Sequence, residues 1–563
     1  MMHRTAGCGI GSLCALALLA CAPTPVAPAA APASPPPAAA PAPAQPAADT
    51  PKQGGIFAYP GQTMGPTLNP HQFGTSSERY VPGPAFETFI HYKGGIADDY
   101  RVDFAVEPWL AERWDTPDET TYVFRVRPGV RWHDGAEFTA EDVAYTYNAL
   151  LDPKNNYPLR NRLDGVKEVK AVDKATLQIT TDGPAPNLLP SLADYNMMIM
   201  AKHVHDRGDD LSKVAIGTGP MKLKSYDRQK GASWVRNPEY WLKGTPYVDG
   251  MDFYLMPEPA SRTAALLGRA VDTRAPTDRA QVDDLKGRIP GLQVGVVQTD
   301  YGNSLLMKLD KPPFNDKRVR RATHLAIDRQ ALLKVASFGE GVVSLPGMPG
   351  HKTGWAIPEA EWRQLPGFRQ PKEQDLAEAR RLMTEAGYPN GVKVTVLYPS
   401  SKSATPKIVE PLAGQLKSTG VVEMVLDGRP QSDVVRMTQE GSFDALFDGA
   451  ADMSLKNQRQ YIHSKGAFNK YGLADPRVDQ AIDVWFRVMD LGKRQAAAQD
   501  LQRVMLEENY VIATIDLPGY QVWHPWVKNF RFNKGIAELI DARAIAELWL
   551  DVDQMPSDRR KGQ

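Results

Sequence analysis

The sequence predicts an α/β protein of at least two compact units. Three observations carry that expectation. The stretch from Lys52 to Gln563 exceeds 500 residues, more than one hydrophobic core ordinarily organises. Strand and helix signals alternate between Ala379 and Leu426, the pattern of an α/β lobe. Hydrophobic residues make up 42% and charged residues 23%, the balance of a globular chain rather than a disordered one.

The first 50 residues stand apart. His3 and Arg4 precede a run of small and apolar residues, Ala6 to Ala20, and Leu18-Leu19-Ala20 leads into Cys21. That is the layout of a secretory signal segment, and the run is shorter than the ~20 apolar residues that span a bilayer. Leu-Leu-Ala-Cys resembles the lipobox of bacterial lipoproteins; the resemblance implies that Cys21 is acylated and becomes the mature N-terminus. From Ala22 to Pro46, ten of 25 residues are Pro and eleven are Ala. Such a segment has no apolar periodicity and is expected to stay extended, in polyproline-like geometry, as a tether reaching roughly 75 Å.

Charge and cysteine usage narrow the function classes. Lys+Arg and Asp+Glu are both 66, so no net positive charge points to nucleic acid or an anionic membrane surface. The three cysteines, Cys8, Cys14 and Cys21, all lie in or at the end of the export segment. The body therefore holds no disulfide and no thiolate metal site. Beyond Cys21 no apolar run is long enough to cross a bilayer, which leaves lipid as the expected anchor.

Along the body, Gly55-Ile-Phe-Ala-Tyr59 reads as a strand, with a second strand signal at Thr67-Leu-Asn-Pro70. Thr121 to Val126 alternates with period two, and Pro128-Gly129 then Asp134-Gly135 supply turns, so a hairpin is expected over Thr120 to Trp132. Thr139 caps a helix, with Asp142 three residues on and Val143, Tyr147 and Leu150 along one face. Lys167 to Thr180 reads as two strands around Asp173-Lys174. Asn315 or Asp316 caps a helix, and Asp328 caps its continuation through Val335. Asp375 to Ala386 is amphipathic and stops at Gly387. Lys393 to Tyr398 is a strand, Pro406 to Ser418 a helix ended by Gly420, and Val421 to Leu426 a strand. Asp475 to Asn509 reads as helical.

Several blocks then follow one another in a specific order: Glu107-Pro-Trp-Leu-Ala-Glu112, Thr121 to Gly135, Thr139-Ala-Glu-Asp-Val143, Gly217-Thr-Gly-Pro220, Arg236-Asn-Pro-Glu-Tyr-Trp241, Pro313 to Ala322 running into Ala326-Ile-Asp-Arg329, Ala379 to Tyr388, and Asp475-Pro-Arg-Val-Asp479. In that order the chain resembles the family 5 extracellular solute-binding proteins of ABC importers, over roughly Gly54 to Leu550. That group includes oligopeptide-, dipeptide- and nickel-binding proteins. The resemblance implies an α/β, two-lobed periplasmic-binding-protein clam with an enlarged first lobe and two hinge crossovers. Its expected parts are a lipoprotein signal peptide (1–20), the tether (21–53), lobe I with its extra subdomain (54–300), lobe II (301–517), a return to lobe I (518–550) and a polar tail (551–563). The crossovers are expected near Thr299 to Leu305 and Asp516 to Tyr520, where a hinge would absorb backbone rotation.

The same resemblance implies a monomer in the periplasm or cell envelope, tethered by lipid. It would capture a peptide or other small solute and deliver it to a permease and ATPase, with no cofactor and no resident metal. Sugars, opines, glycosides and metal chelates are the alternative ligands, and sensing the alternative role. An exported hydrolase is the alternative from another class, because paired carboxylates leave no local signature; no Gly-x-Ser-x-Gly, Ser-x-x-Lys or His-Glu-x-x-His motif is present. Trp132-His133-Asp134-Gly135 reads as a turn rather than a catalytic group. Arg318, Arg320 and Arg321 read as a solvated basic face, with permease docking as the functional alternative. His203 and His205 are expected in a loop, with too few partners for a metal site.

Cleft residues in such clams come from lobe edges and crossovers. The candidates here are Thr75, Ser76, Tyr195, Asn196, Tyr301 and Asn303, whose donors and acceptors suit ligand contacts. In peptide-binding members a Gly-Trp pair after Phe-Asp precedes an acid that holds the peptide ammonium. Here Phe443-Asp444 is followed by Gly449, Ala450 and Asp452, so Ala450 stands where Trp is expected and one residue is missing. Asp452, or failing it Asp448, is the expected ammonium partner, and Phe447 falls where oligopeptide binders place an Arg for the peptide carboxylate.

Overall fold

The computed structural model describes residues 50–65, 67–72, 81–93, 105–298, 302–347, 354–402, 404–449, 459–531 and 541–560. Strand β1 (Ile56–Gly61) opens the first sheet. The chain then leaves it to build an antiparallel sheet from β2 (Ala111–Asp118), β3 (Thr121–Val126), β4 (Val166–Asp173) and β5 (Thr176–Thr181), ordered β2-β3-β5-β4. Helix α1 (Ala140–Leu151) packs on β4 and β5. The Thr139 amide donates to Asp142 Oδ2 at 2.9 Å, the backward half of a capping box. Asp142 is buried, and also accepts from Trp132 Nε1 and the Lys202 amide, so one cap pins two loops.

Strands β6 (Met221–Asp227), β7 (Gly231–Arg236) and β8 (Gly250–Leu255) return to β1 in the order β1-β8-β7-β6, with β1 parallel to β8. Next come β9 (Thr273–Arg274), helix α2 (Arg279–Arg288) and β10 (Gln293–Gln298).

A second body follows. It contains β11 (Ser304–Met307), α3 (Lys317–Ala326), α4 (Arg329–Ser337), α5 (Glu373–Glu385), β12 (Val392–Pro399), α6 (Ala404–Thr419), β13 (Val422–Arg429), β14 (Ala445–Asp448), α7 (Pro476–Arg487), α8 (Leu491–Glu508) and β15 (Val511–Ala513). Its sheet runs β13-β12-β14-β11-β15. Strands β13, β12 and β14 are parallel to one another, and β11 is antiparallel to β14 and β15. Finally β16 (Pro518–Trp523) inserts between β9 and β10 in a three-stranded sheet. One hydrophobic core, including Leu306, Val396, Leu412 and Trp485, serves the second body, and separate cores serve the other three sheets. The result is the two-lobed α/β architecture expected.

Several local expectations change. Thr67 to Pro70 is not a strand: the Asn69 amide donates to Thr67 Oγ1 and Asn69 Oδ1 accepts from the His71 amide, so side chains replace a ladder. Thr121 to Val126 does not pair with the residues after Gly129. Both its edges are taken by β2 and β5, and the turn beyond is closed by a bridge between Arg131 and Glu137. The helical run Asp475 to Asn509 is two helices, because Asp490 accepts from the Lys493 amide and caps α8. Arg320 is not on a solvated face; it is buried, donating to the carbonyls of Phe314 and Glu508. His203 and His205 lie on a short helix, Lys202–Asp206, where His203 meets Asp134 and His205 lies against Tyr145.

Candidate ligand-binding cleft

In a sheet with parallel strands, ligands gather outside the carboxyl ends of those strands. In the second body that edge is defined by the ends of β12, β13 and β14. Ser304, at the start of β11, is in register with Asp448 and with Ala513. The edge therefore also receives residues 302–303 and releases 514–517, the two segments that join this sheet to β10 and β16. The two segments are bonded to each other, since the Thr514 amide and hydroxyl both donate to the Asn303 carbonyl, at 3.0 and 2.7 Å.

Two buried acids mark this edge. Asp516 is fully buried and accepts from the Gly302 amide at 3.3 Å, the Asn303 amide at 3.2 Å, Asn303 Nδ2 at 2.8 Å and Ser344 Oγ at 2.7 Å. Asp448 is 1% exposed and accepts from Lys402 Nζ at 2.6 Å. Lys402 itself follows β12 and keeps 42% of its side chain exposed, so a half-solvated ammonium covers a buried carboxylate at the rim.

The first body meets the second on two sides of the edge. On one side, Lys407 of α6 donates to the Thr277 carbonyl at 3.0 Å and Asp278 Oδ2 at 3.1 Å, and Arg279 pairs with Glu340 at 2.7 Å. Tyr520 also donates to Glu340. On the other side, Arg487 pairs with Asp182 at 2.7 Å and Arg494 Nη1 donates to Asn187 Oδ1 at 3.2 Å. Beside these contacts a cavity lies between Asn161, Asn187 and Ser191 of the first body and Arg459, Gln460 and Phe486 of the second.

Of the residues singled out in the sequence, Asn303 and Asp448 sit at this edge. Asn303 spends its amide on Asp516. Tyr195 lines a cavity inside the first body with Glu87, His91, Trp109 and Asp541. Asn196 is buried beside it, and its amide nitrogens, backbone and side chain, both donate to Asp194 Oδ1. Cys21, Thr75, Ser76, Tyr301, Ala450 and Asp452 lie outside the described residues. Phe447 is fully buried within β14. Among the described residues, no group of three or more His, Cys, Asp or Glu could hold a metal ion, and no helix is long and apolar enough to cross a membrane.

The sequence reading missed Lys402, and named Asp516 only as the start of a crossover, not as a buried acid at this edge. Asp516 carried a signal, an acid inside the apolar run Val511 to Leu517. It also missed Glu87, on which three of the ordered blocks converge. Its carboxylate accepts from Trp109 Nε1 at 2.9 Å, Tyr240 OH at 2.8 Å and Trp241 Nε1 at 3.2 Å. Burial pushes the Glu87 carboxyl up to about 7, although these donors and Thr218 pull the other way. Those blocks thus assemble scaffold around one buried acid. His133 plays a similar part, bonded to the Gly219 carbonyl and brought down to about 4 by burial.

A two-lobed α/β body, crossed twice at the carboxyl ends of the parallel strands of a mixed sheet and bridged on both flanks, defines the class of solute-binding clams. The chain belongs to the bacterial extracellular solute-binding proteins, family 5: residues 105–471 match the family's profile, described as "family 5 Middle". It is similar to the glutathione-binding protein GsiB of Salmonella typhimurium, with 28% identity over 321 residues, or 57% of this chain. That match spans 60% of the relative's own length. In fold it is similar to AgaA from A. tumefacien R10, solved with agropinic acid (TM-score 0.71, 20% identity, 88% of this chain and 99% of that one). It is likewise similar to DppA from Helicobacter pylori, solved with the peptide STSA (TM-score 0.70, 21% identity, 89% and 99%).

Proposed function

We propose that this protein is the substrate-binding lipoprotein of an ABC importer, capturing a short peptide or peptide-like solute between its lobes and passing it to a permease. The observation that carries the reading is the junction of 302–303 and 514–517 at the sheet edge bearing Asp448 and Lys402. Two short segments there can act as a hinge while each body stays rigid. A solute closes such a clam only by binding the closed arrangement better than the open one. Family membership and the glutathione- and peptide-binding relatives support a peptide-like ligand. On this reading the lobes are 54–300 with 518–550, and 301–517.

Cys21 carries the lipid, the Pro/Ala tether spans the gap to the body, and the protein works as a monomer in the periplasm or cell envelope. A non-peptide solute is the second reading. It is favoured by Phe447 and Ala450, which offer neither the cation nor the indole of the peptide-binding pattern, and by Lys402, which already neutralises Asp448. Mass spectrometry of solute co-purified with the body tests both. Recovery of peptides or glutathione supports the first, recovery of opines, sugars or chelates the second, and turnover of the solute by the pure protein would overturn both.

A further inference from the structure

A second cavity lies within the second body. Its volume is about 360 Å³, against about 50 Å³ for the inter-lobe cavity, and that is room for a small molecule. Asn509, in its wall, stands just before β15, whose other end at Ala513 is in register with Ser304 at the cleft edge. The cavity therefore lies toward the end of that strand remote from the cleft.

One wall is pinned in place. A Cβ at Gly367 (φ +94°) would stand 2.1 Å from His324 Nε2, so the chain can pass over the ring only as glycine. Arg329 Nη2 donates to His324 Nδ1 at 3.2 Å; the ring proton is therefore on Nε2 and goes to the Pro366 carbonyl at 3.1 Å. The Gly367 amide donates to Asp375 Oδ2 at 2.8 Å, and its carbonyl accepts from Arg329 Nη1 at 2.9 Å. Burial, and then the Arg329 charge, hold His324 well below the usual histidine range, so this wall is neutral. Phe368 stands edge-on to both His324 and Trp362. Leu325, Leu365 and Leu506 add apolar surface.

Most charges around the cavity are spent. Arg503 is held by Glu361 at 2.9 and 3.0 Å, and Glu507 by Arg477 at 3.2 Å. Two groups stand apart. Asn509 is 1% exposed; its Nδ2 turns to the Glu507 carbonyl at 3.4 Å, and its buried Oδ1 has no donor in the protein. A buried acceptor in that state calls for an N–H or O–H. Arg321 is half-buried, with no hydrogen bond or ion pair among the described residues; Glu378 feels its charge but is bonded to Arg381. Glu361 and Glu507 on the same rim disfavour an anion, so the group that suits Arg321 here is the face of an aromatic ring.

We propose that this cavity is a second binding site, for a small uncharged aromatic molecule of the indole or phenol class. Its ring packs on Phe368 and Arg321, and its N–H or O–H donates to Asn509 Oδ1. The site is separate from the cleft, so this reading and the transport reading stand or fall independently.

The test is calorimetric titration of the full chain with indole, N-methylindole and cyclohexanol. The parent should bind indole with a Kd of about 1 mM or tighter. N-methylindole, which has lost the donor, should bind about tenfold more weakly. Cyclohexanol, which brings a donor without a ring face, should also bind more weakly than indole. Asn509→Gly keeps a residue that tolerates the left-handed backbone there (φ +52°), and should bind indole and N-methylindole alike. Leu506→Trp should fill the cavity and abolish indole binding; should that variant not fold, Leu365→Trp fills it from the pinned wall.

No binding of indole by the parent at about 10 mM overturns the site. Binding kept by the cavity-filling variant puts the indole elsewhere and overturns it equally. A preference for indole over N-methylindole that is absent in the parent, or survives in Asn509→Gly, overturns the role of Asn509 and with it the donor in the ligand class. Cyclohexanol binding as tightly as indole overturns the aromatic class.

Discussion

Asn303 and Asp516 join the two inter-lobe segments. The Asn303 side chain donates to Asp516 Oδ1 at 2.8 Å and its backbone amide to the same oxygen at 3.2 Å, across a separation of 213 residues. Both residues are buried. A carboxylate that accepts from two amides of one segment, a side-chain amide and the Ser344 hydroxyl holds the crossing in one register without a disulfide. Replacing it by Asp516→Ala would leave those donors buried and unserved. We expect a loss of about 3 kcal/mol, since each stranded buried donor costs on the order of 1–3 kcal/mol and some relax toward water. Asp516→Asn, which keeps one acceptor, should lose less. Thermal melts of both variants against the parent check this, and an alanine variant as stable as the parent would remove Asp516 from the role.

Lys402 and Asp448 make a second prediction. The Lys402 ammonium occupies the buried carboxylate at the rim, where a ligand ammonium would have to compete with it. Lys402→Met should therefore destabilise the empty protein by about 1–3 kcal/mol, the cost of stranding a buried charge partner. The same variant should favour peptides with a free amino group over N-acetylated ones by about tenfold more than the parent does. Calorimetric titration of one peptide in both forms decides it. An unchanged ratio shows that Asp448 does not see the ligand.

A third prediction concerns pH. The Glu87 carboxyl is held near 7 instead of its ordinary 4.5, chiefly by burial. Between those values the folded protein keeps a proton that the unfolded chain has released, so stability falls as pH rises from about 4.5 through 7 and then levels. Glu87→Gln keeps an oxygen for Trp109, Tyr240 and Trp241 and cannot titrate. Melting temperatures from about pH 5 to about pH 8 should decline less steeply in the Gln variant than in the parent. Parallel curves would mean that Glu87 is ionised throughout.

The fourth concerns the anchor. Cys21→Ser should block acylation and move the protein from the membrane fraction to the soluble one, because Cys8 and Cys14 leave with the signal segment and Cys21 is the one cysteine expected to survive processing. Sedimentation with membranes by the Ser variant, unchanged by detergent, would contradict lipidation.

The sequence by itself determined the elements whose signals are local. The capped start of α1 at Thr139 and Asp142, the stop of α5 before Gly387, and the β12-α6-β13 succession all depend on residues within one or two turns of each other. Backbone sterics and nearby side-chain oxygens decide them before any tertiary contact exists. The ordered blocks likewise announced the family. What only the tertiary structure decided is which polar groups are buried together. Glu87 gathers Trp109 from 22 residues away and Tyr240 from 153, Lys402 finds Asp448 across 46, and Asp516 takes Asn303. Desolvation is the reason. The cost of an unpaired charge or donor is set by the water that folding removes, and that depends on segments hundreds of residues apart.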